Sequence, residues 1–189
     1  MKIILLILFL SLITGCAAPL LVVGGMATGA IIADDRRSPG VMLHDENIEL
    51  TARNAISNDA ELREETNINV TSFNFIVLLS GQAPTTILRY RAETLVRNIE
   101  HVRLVYNEIT IGPPASFATR GSDTLITTRI KGGLFNHKEV NSNHIKIVTE
   151  SSVVFLMGIV TRAESEQVAE VARSTPGVLK VVRLFEFSN

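Results

Sequence analysis

At 189 residues, with 46 % apolar and 20 % charged residues, the chain has room for one medium domain or two small ones. A formal net charge of −1 argues against broad nucleic-acid binding, which needs a basic face. A single cysteine excludes an intrachain disulfide and a four-cysteine zinc site, and two tyrosines without tryptophan argue against an aromatic-lined cleft.

The apolar residues are unevenly spread: residues 1–33 hold 24 of them and the other 156 residues hold 63. Met1-Lys2 is a short positive start, Ile3 to Ile13 is apolar apart from Ser11, and Ile13-Thr14-Gly15-Cys16 follows. Small residues before a cysteine, directly after a short apolar run, resemble the lipobox of bacterial lipoproteins. The resemblance implies cleavage after residue 15 and acylation of Cys16, so the lone cysteine is an anchor and no thiol remains for metal or catalysis. Two or more acyl chains anchor stably, at roughly 0.8 kcal/mol per buried methylene. The competing reading is an uncleaved membrane helix, since residues 3–33 carry no charge. Gly15, Pro19, Gly24, Gly25 and Gly29 speak against one continuous helix. Ala17, in place of an aspartate after the cysteine, implies by the same resemblance sorting to the outer membrane, on its periplasmic face.

Residues 16–44 are then a lipidated apolar segment and linker, with charge and turn residues from Asp34 to Gly40 ending the apolar run. The remainder reads as a duplication. Ile76-Val77-Leu78-Leu79-Ser80-Gly81 matches Val153-Val154-Phe155-Leu156-Met157-Gly158 at an offset of 77, as Ile68-Asn69-Val70 matches Ile145-Lys146-Ile147. A one-residue gap later brings Val102–Asn107 over Val178–Arg183. Gly112-Pro113-Pro114-Ala115-Ser116 opens a linker, giving domains at 45–112 and 121–188 joined by 113–120.

Each copy is expected to run helix–strand–strand–helix–strand. In the first, Leu88, Ala92, Leu95 and Ile99 line the second helix. In the second, Asp123 is the expected N-cap of a helix with Ile126, Ile130 and Leu134 on one stripe. Asn143–Thr149 alternates as a strand, and Val153–Val160 is a central strand covered on at least one face. Thr161 caps a helix carrying Val168, Ala169, Val171 and Ala172, which Pro176-Gly177 stops before the strand Val178–Phe187. The expected fold is α/β (α+β): two tandem units, each a mixed three-stranded sheet with two helices on one face.

The apolar strand ending in Gly81 or Gly158, and Gly177-Val178-x-x-Val181 at the last strand, resemble the BON domain of bacterial envelope proteins. The order and spacing of the motifs, lipobox included, are similar to the dual-BON outer-membrane lipoproteins. They include Val105-Tyr106-Asn107-Glu108-Ile109 and Asp123-Thr124-Leu125-Ile126-Thr127-Thr128. The resemblance implies binding rather than turnover: anionic phospholipid taken by the first helix of the second domain, in support of outer-membrane integrity and at the division site. Relatives can carry tryptophan where this chain has Leu125, a weaker interfacial anchor.

The residues add an independent hint. Residues 47–112 hold six Lys/Arg and eight Asp/Glu, whereas 120–189 hold nine and seven. With Ile126, Ile130 and Leu134 buried, helical geometry puts Leu125, Thr128, Arg129, Gly132 and Phe135 on the opposite side with Lys131 on the flank. Lys138 adds to the charge of this stretch. Leu125, Thr128, Arg129, Lys131 and Phe135 are therefore the candidate contact with an anionic membrane. The alternative is that Leu125 and Phe135 cover the linker or the other domain. No enzyme is expected: His44, His101, His137 and His144 lack metal-ligand spacing, and no nucleophile elbow or phosphate loop occurs. No cofactor or metal is implied. A second non-enzymatic reading is an adaptor for envelope or division proteins through the acidic first domain around Glu61, Glu64 and Glu65.

Overall fold

The structure, a computed structural model, describes residues 35–135 and 140–188. The expected signal 1–15, Cys16, the apolar run 17–33 and, further on, His137 and Lys138 lie outside the described residues.

Helix α1 (Pro39–Asn58) starts inside the stretch read as linker. Ser38 accepts a hydrogen bond from the Val41 N–H, and Pro39 fills a first-turn position where no N–H is needed. Asp59 breaks the helix and caps a short α2 (Ala60–Glu65), accepting from the Glu61 and Leu62 N–H groups. The hairpin β1 (Asn67–Phe73) and β2 (Ile76–Ala83), helix α3 (Thr86–Arg97), β3 (Leu104–Asn107) and the two-residue β4 (Thr110–Ile111) complete the first unit. In α3 the buried stripe is Leu88, Ala92 and Val96; Leu95 is only partly buried, and Ile99 falls beyond the helix end.

The second unit is α4 (Phe117–Phe135), a 3-10 turn (Ser142–His144), β5 (Ile145–Glu150), β6 (Val153–Val160), α5 (Arg162–Ser174) and β7 (Lys180–Phe187). Thr161 caps α5 as expected, within a reciprocal capping box with Glu164. The N-cap expectation for Asp123 is corrected. Helix α4 starts two turns earlier, at Ser116, whose hydroxyl accepts from the Thr119 N–H at 3.1 Å, and Asp123 is buried mid-helix. An aspartate before an apolar stripe resembles a cap in sequence; here its carboxylate is spent on a distant turn instead.

The duplication is legible in the sheet register. Ile68 faces Gly81 in the β1–β2 hairpin as Ile145 faces Gly158 in β5–β6. Ile76 pairs in parallel with Leu104, and Val153 with Lys180, which carries the one-residue gap of the sequence match. The third strands differ, however. Strand β7 pairs with β6 without interruption, whereas in the first unit the strand breaks at Glu108-Ile109 into β3 and β4, so that sheet has four strands. The break lies beside Gly81, which holds φ +112°, a conformation open to glycine; any Cβ there would stand 1.9 Å from the Asn67 carbonyl oxygen. Ile109 turns into the core at the break.

Both faces of each central strand are buried. Val77 and Leu79 of β2, and Val154, Leu156 and Val160 of β6, pack under the helices of their own units. Ile76 and Leu78 on the other face of β2 meet Phe155 and Met157 of β6 in a third cluster, joined by Phe73 and Leu184. The two sheets thus pack against each other with the helices outside, which is why Val153–Val160 reads as a nearly continuous apolar run. Polar contacts border this core. Glu150 accepts from Asn69 (3.1 Å) and Gln82 (2.7 Å), and Glu186 accepts from Asn74 and pairs with Arg103.

Two consecutive arginines fasten the start of the body. Arg36 grips Glu164 of the second unit with two 2.8 Å hydrogen bonds and donates to the Ile159 carbonyl. Arg37 pairs with Asp45 of the first unit at 2.8 Å and lies 4.0 Å over the Phe73 ring.

Candidate functional site

Helix α4 is two-sided. Its buried side is Asp123, Ile126, Ile130 and Leu134, as the apolar spacing requires. On the α5 side the helices approach closely at Gly133, where a Cβ would meet the Val171 side chain at 3.0 Å.

The other side holds every residue singled out from sequence. Leu125 is 56 % exposed and Phe135 82 %, and Thr128, Arg129 and Lys131 are exposed between them. The Leu125 and Phe135 side chains are thus both more than half exposed among the described residues. The Thr128 hydroxyl donates to the Thr124 carbonyl, and the Arg129 guanidinium reaches to 3.5 Å from the Pro176 carbonyl.

Sequence reasoning missed the first two turns. Phe117 is 88 % exposed, with the Arg120 guanidinium 5.4 Å from its ring centroid. Phe117 and Phe135 are 18 residues apart, five helical turns, so they lie on one line at the two ends of a stripe about 27 Å long. Reading 113–120 as linker hid this; the signal available was Ser116 three residues before Thr119, a cap ahead of the apolar pattern.

Beside the stripe, α4 borders a polar groove of about 450 Å³ walled by β1 of the first unit and β5 of the second. Arg120 and Lys131 stand along it with the hydroxyls of Thr124, Thr127, Thr128 and Thr149, facing Asn67, Asn69 and Glu150. Thr127 and Thr149 hydroxyls bond to each other at 2.7 Å, and the Asp123 and Glu150 carboxylates are occupied by hydrogen bonds from the protein. The groove is a set of hydroxyls, amides and two hydrogen-bonded carboxylates, edged by two cations. Among the described residues no group of three or more His, Cys, Asp or Glu could hold a metal ion.

On the first unit, Glu61 pairs with Arg91 at 2.5 Å and Glu64 with Arg63 at 3.0 Å. The hydrogen bond from Arg91 to Glu61 is the main reason the guanidinium's pKa is raised. Two of the three acids singled out there thus already have internal partners.

Comparison with known proteins fits this architecture. The BON domain model matches residues 44–113 and 122–189. The chain is 36 % identical over 173 residues to the outer membrane lipoprotein DolP of Haemophilus influenzae, covering 92 % of this chain and 89 % of that protein. It is 39 % identical over 153 residues to a 21 kDa hemolysin of Actinobacillus pleuropneumoniae, covering 81 % and 79 %. The osmotically-inducible protein Y of Escherichia coli is 28 % identical over 121 residues, covering 62 % and 60 %. No helix among the described residues is long and apolar enough to cross a membrane. This chain belongs to the BON domain family, as a dual-BON lipoprotein of the outer membrane.

Proposed function

We propose that the protein, anchored through Cys16 and facing the periplasm, binds anionic phospholipid with the outward side of α4 and so supports outer-membrane integrity, including at the division site. The observation that carries this reading is the outward side of α4, where Phe117, Leu125 and Phe135 are exposed, with Arg129 on one flank and Arg120 and Lys131 on the other along the groove. Apolar side chains enter the boundary between headgroups and acyl chains while cations stay with the phosphates. Each basic residue near an anionic surface contributes about 1 kcal/mol, so the stripe alone binds modestly. The anchor compensates by holding the local lipid concentration high. Binding, not catalysis, is the activity that such a face supports.

The test is co-sedimentation of residues 36–189 with vesicles of phosphatidylglycerol or of phosphatidylcholine alone. Wild type should sediment with the anionic vesicles and lose binding as salt rises; Leu125→Ala and Arg129→Glu should bind severalfold less. Equal binding by all three would remove α4 as the contact. A protein retained stoichiometrically from detergent-solubilised envelope, without anionic lipid, would favour the adaptor reading instead.

A further inference from the structure

The two BON units share a scaffold, so surface differences between equivalent places show what each has been fitted to. In each unit the turn before the last strand lies against the first helix. Leu179 donates its N–H to the Ser152 carbonyl at 2.9 Å, as Arg103 does to the Phe75 carbonyl at 2.9 Å. Gly177 holds φ +97° and His101 φ +69°, so the turns match residue for residue: Pro176-Gly177-Val178-Leu179 over Glu100-His101-Val102-Arg103.

The side chains carried at these matched places differ. In the first unit the turn and helix border a mixed cleft of about 570 Å³, where Asn47, Thr51, Asn98, Glu100 and His101 stand with Ile48 and Ile99, and Arg103 is paired with Glu186. In the second unit the same helix places carry Leu125 for Asn47 and Arg129 for Thr51, counted from Asp123 against Asp45. Leu179, in the place of Arg103, is 82 % exposed.

The exposed leucine sits on a fixed backbone. A Cβ at Gly177 would meet Ile126 of α4 at 3.2 Å, and Arg129 reaches the Pro176 carbonyl. Ser152, which receives the Leu179 N–H, gives its own N–H to Asp123 of α4 at 2.8 Å. Leu179 also precedes by two residues Val181, which packs on the helix-side core, so the turn belongs to the layer that carries α4. A lone exposed leucine is ordinary on a protein surface, but one on a turn held against the helix that presents Leu125 and Arg129 extends an existing apolar and basic surface.

We infer that the Pro176–Leu179 turn is a second insertion point on the same lipid surface, with Leu125 and Leu179 entering an anionic bilayer on either side of Arg129. This rests on the α4 reading above and extends it from a helix stripe to a helix and a turn. The occupant is the phospholipid surface rather than a protein, because the turn that carries Leu179 is the one whose Pro176 carbonyl Arg129 reaches, and Arg129 lies one helical turn from the exposed Leu125, so apolar and basic side chains adjoin.

Site-directed spin labelling separates the inference from the reading it rests on. Leu179→Cys, Leu125→Cys and Asn47→Cys each place one nitroxide on the full-length protein, reconstituted in phosphatidylglycerol-containing or pure phosphatidylcholine vesicles. With anionic vesicles the labels at 179 and 125 should both lose severalfold accessibility to a water-soluble relaxant and gain it to oxygen, while 47 should not. Burial of 125 with 179 still in water would overturn the second insertion point and leave the helix reading intact. If neither label enters, both fail. Shielding of 179 that is the same without vesicles would assign the turn to a protein interface and overturn the inference.

Discussion

Asp45 and Asp123 do the same task in the two halves of the molecule: each reaches from the first helix of its domain to two successive backbone N–H groups of the hairpin turn. Asp45 receives Asn74 at 2.7 Å and Phe75 at 2.8 Å; Asp123 receives Ser151 and Ser152, both at 2.8 Å. All four turn residues have positive φ, from 49° to 66°, and none is glycine. Two such residues in a row match the right-handed twist of a hairpin, yet each costs a side-chain-bearing residue about 1–2 kcal/mol. The carboxylate, accepting both N–H groups, offsets that cost and pins helix to sheet.

Removing either carboxylate leaves two N–H groups without a partner against a helix. Asp123→Ala should lower unfolding free energy by about 2–4 kcal/mol. Asp45→Ala should cost more, because Asp45 also accepts from the Ser72 hydroxyl at 2.7 Å and pairs with Arg37. Urea denaturation followed by circular dichroism measures both. A loss within a few tenths of a kcal/mol of a surface aspartate would show that the turns hold their form unaided.

This pair also marks what was legible in the sequence. The strands, their offset of 77 and the one-residue gap could be read because a period-2 apolar pattern and its repetition are local properties. The exposed side of α4 followed from Ile126, Ile130 and Leu134 by helical geometry alone. The role of Asp123 was not legible, since its partners are 28 and 29 residues away. Nor was the packing of the two sheets. Ile76, Leu78, Phe155 and Met157 announce a covered face, but no local pattern states what covers it. Phe117 was lost to a linker assignment, because Pro113 and Pro114 made the next residues look unstructured.

Because the two sheets share an apolar core, the two BON units should unfold as one cooperative body. Phe155→Ala empties space between them without touching the helix-side core of either, and should cost about 3–5 kcal/mol. Hydrogen exchange should show β2 of the first unit losing protection together with β6 and β7 of the second. Loss confined to the second unit would mean that the units unfold independently.

Glycines divide by what surrounds them. At Gly121 and Gly132 in α4 an added Cβ would meet nothing within 4 Å outside its own helix, so Gly121→Ala and Gly132→Ala should each stabilise the helix by up to about 1 kcal/mol. Gly158→Ala, which would press on the His144 carbonyl oxygen at 2.6 Å, should destabilise even though its backbone φ is ordinary. Melting temperatures of the three variants should therefore split, two upward and one downward.

The Arg36–Glu164 grip makes stability depend on pH in a defined direction. Hydrogen bonding from Arg36 is the largest cause that holds the Glu164 carboxyl at about 2, against an ordinary 4.5, with burial acting the other way and the Thr161 N–H assisting. A lowered native pKa means that the unfolded chain takes up the proton first. The contribution is thus complete above about pH 4.5 and is lost as pH falls toward 2. Arg36→Gln should lower stability at pH 7 by on the order of 1–2 kcal/mol. The gap from wild type should close as pH drops through that window, because protonation of Glu164 removes the charged partner in both proteins. The exchange Arg36→Glu with Glu164→Arg should restore part of the loss at pH 7, although the reversed pair gives up the Thr161 capping bond. A constant gap between wild type and Arg36→Gln from pH 7 to pH 2 would show that Arg36 acts through its 2.8 Å bond to the Ile159 carbonyl and not through Glu164.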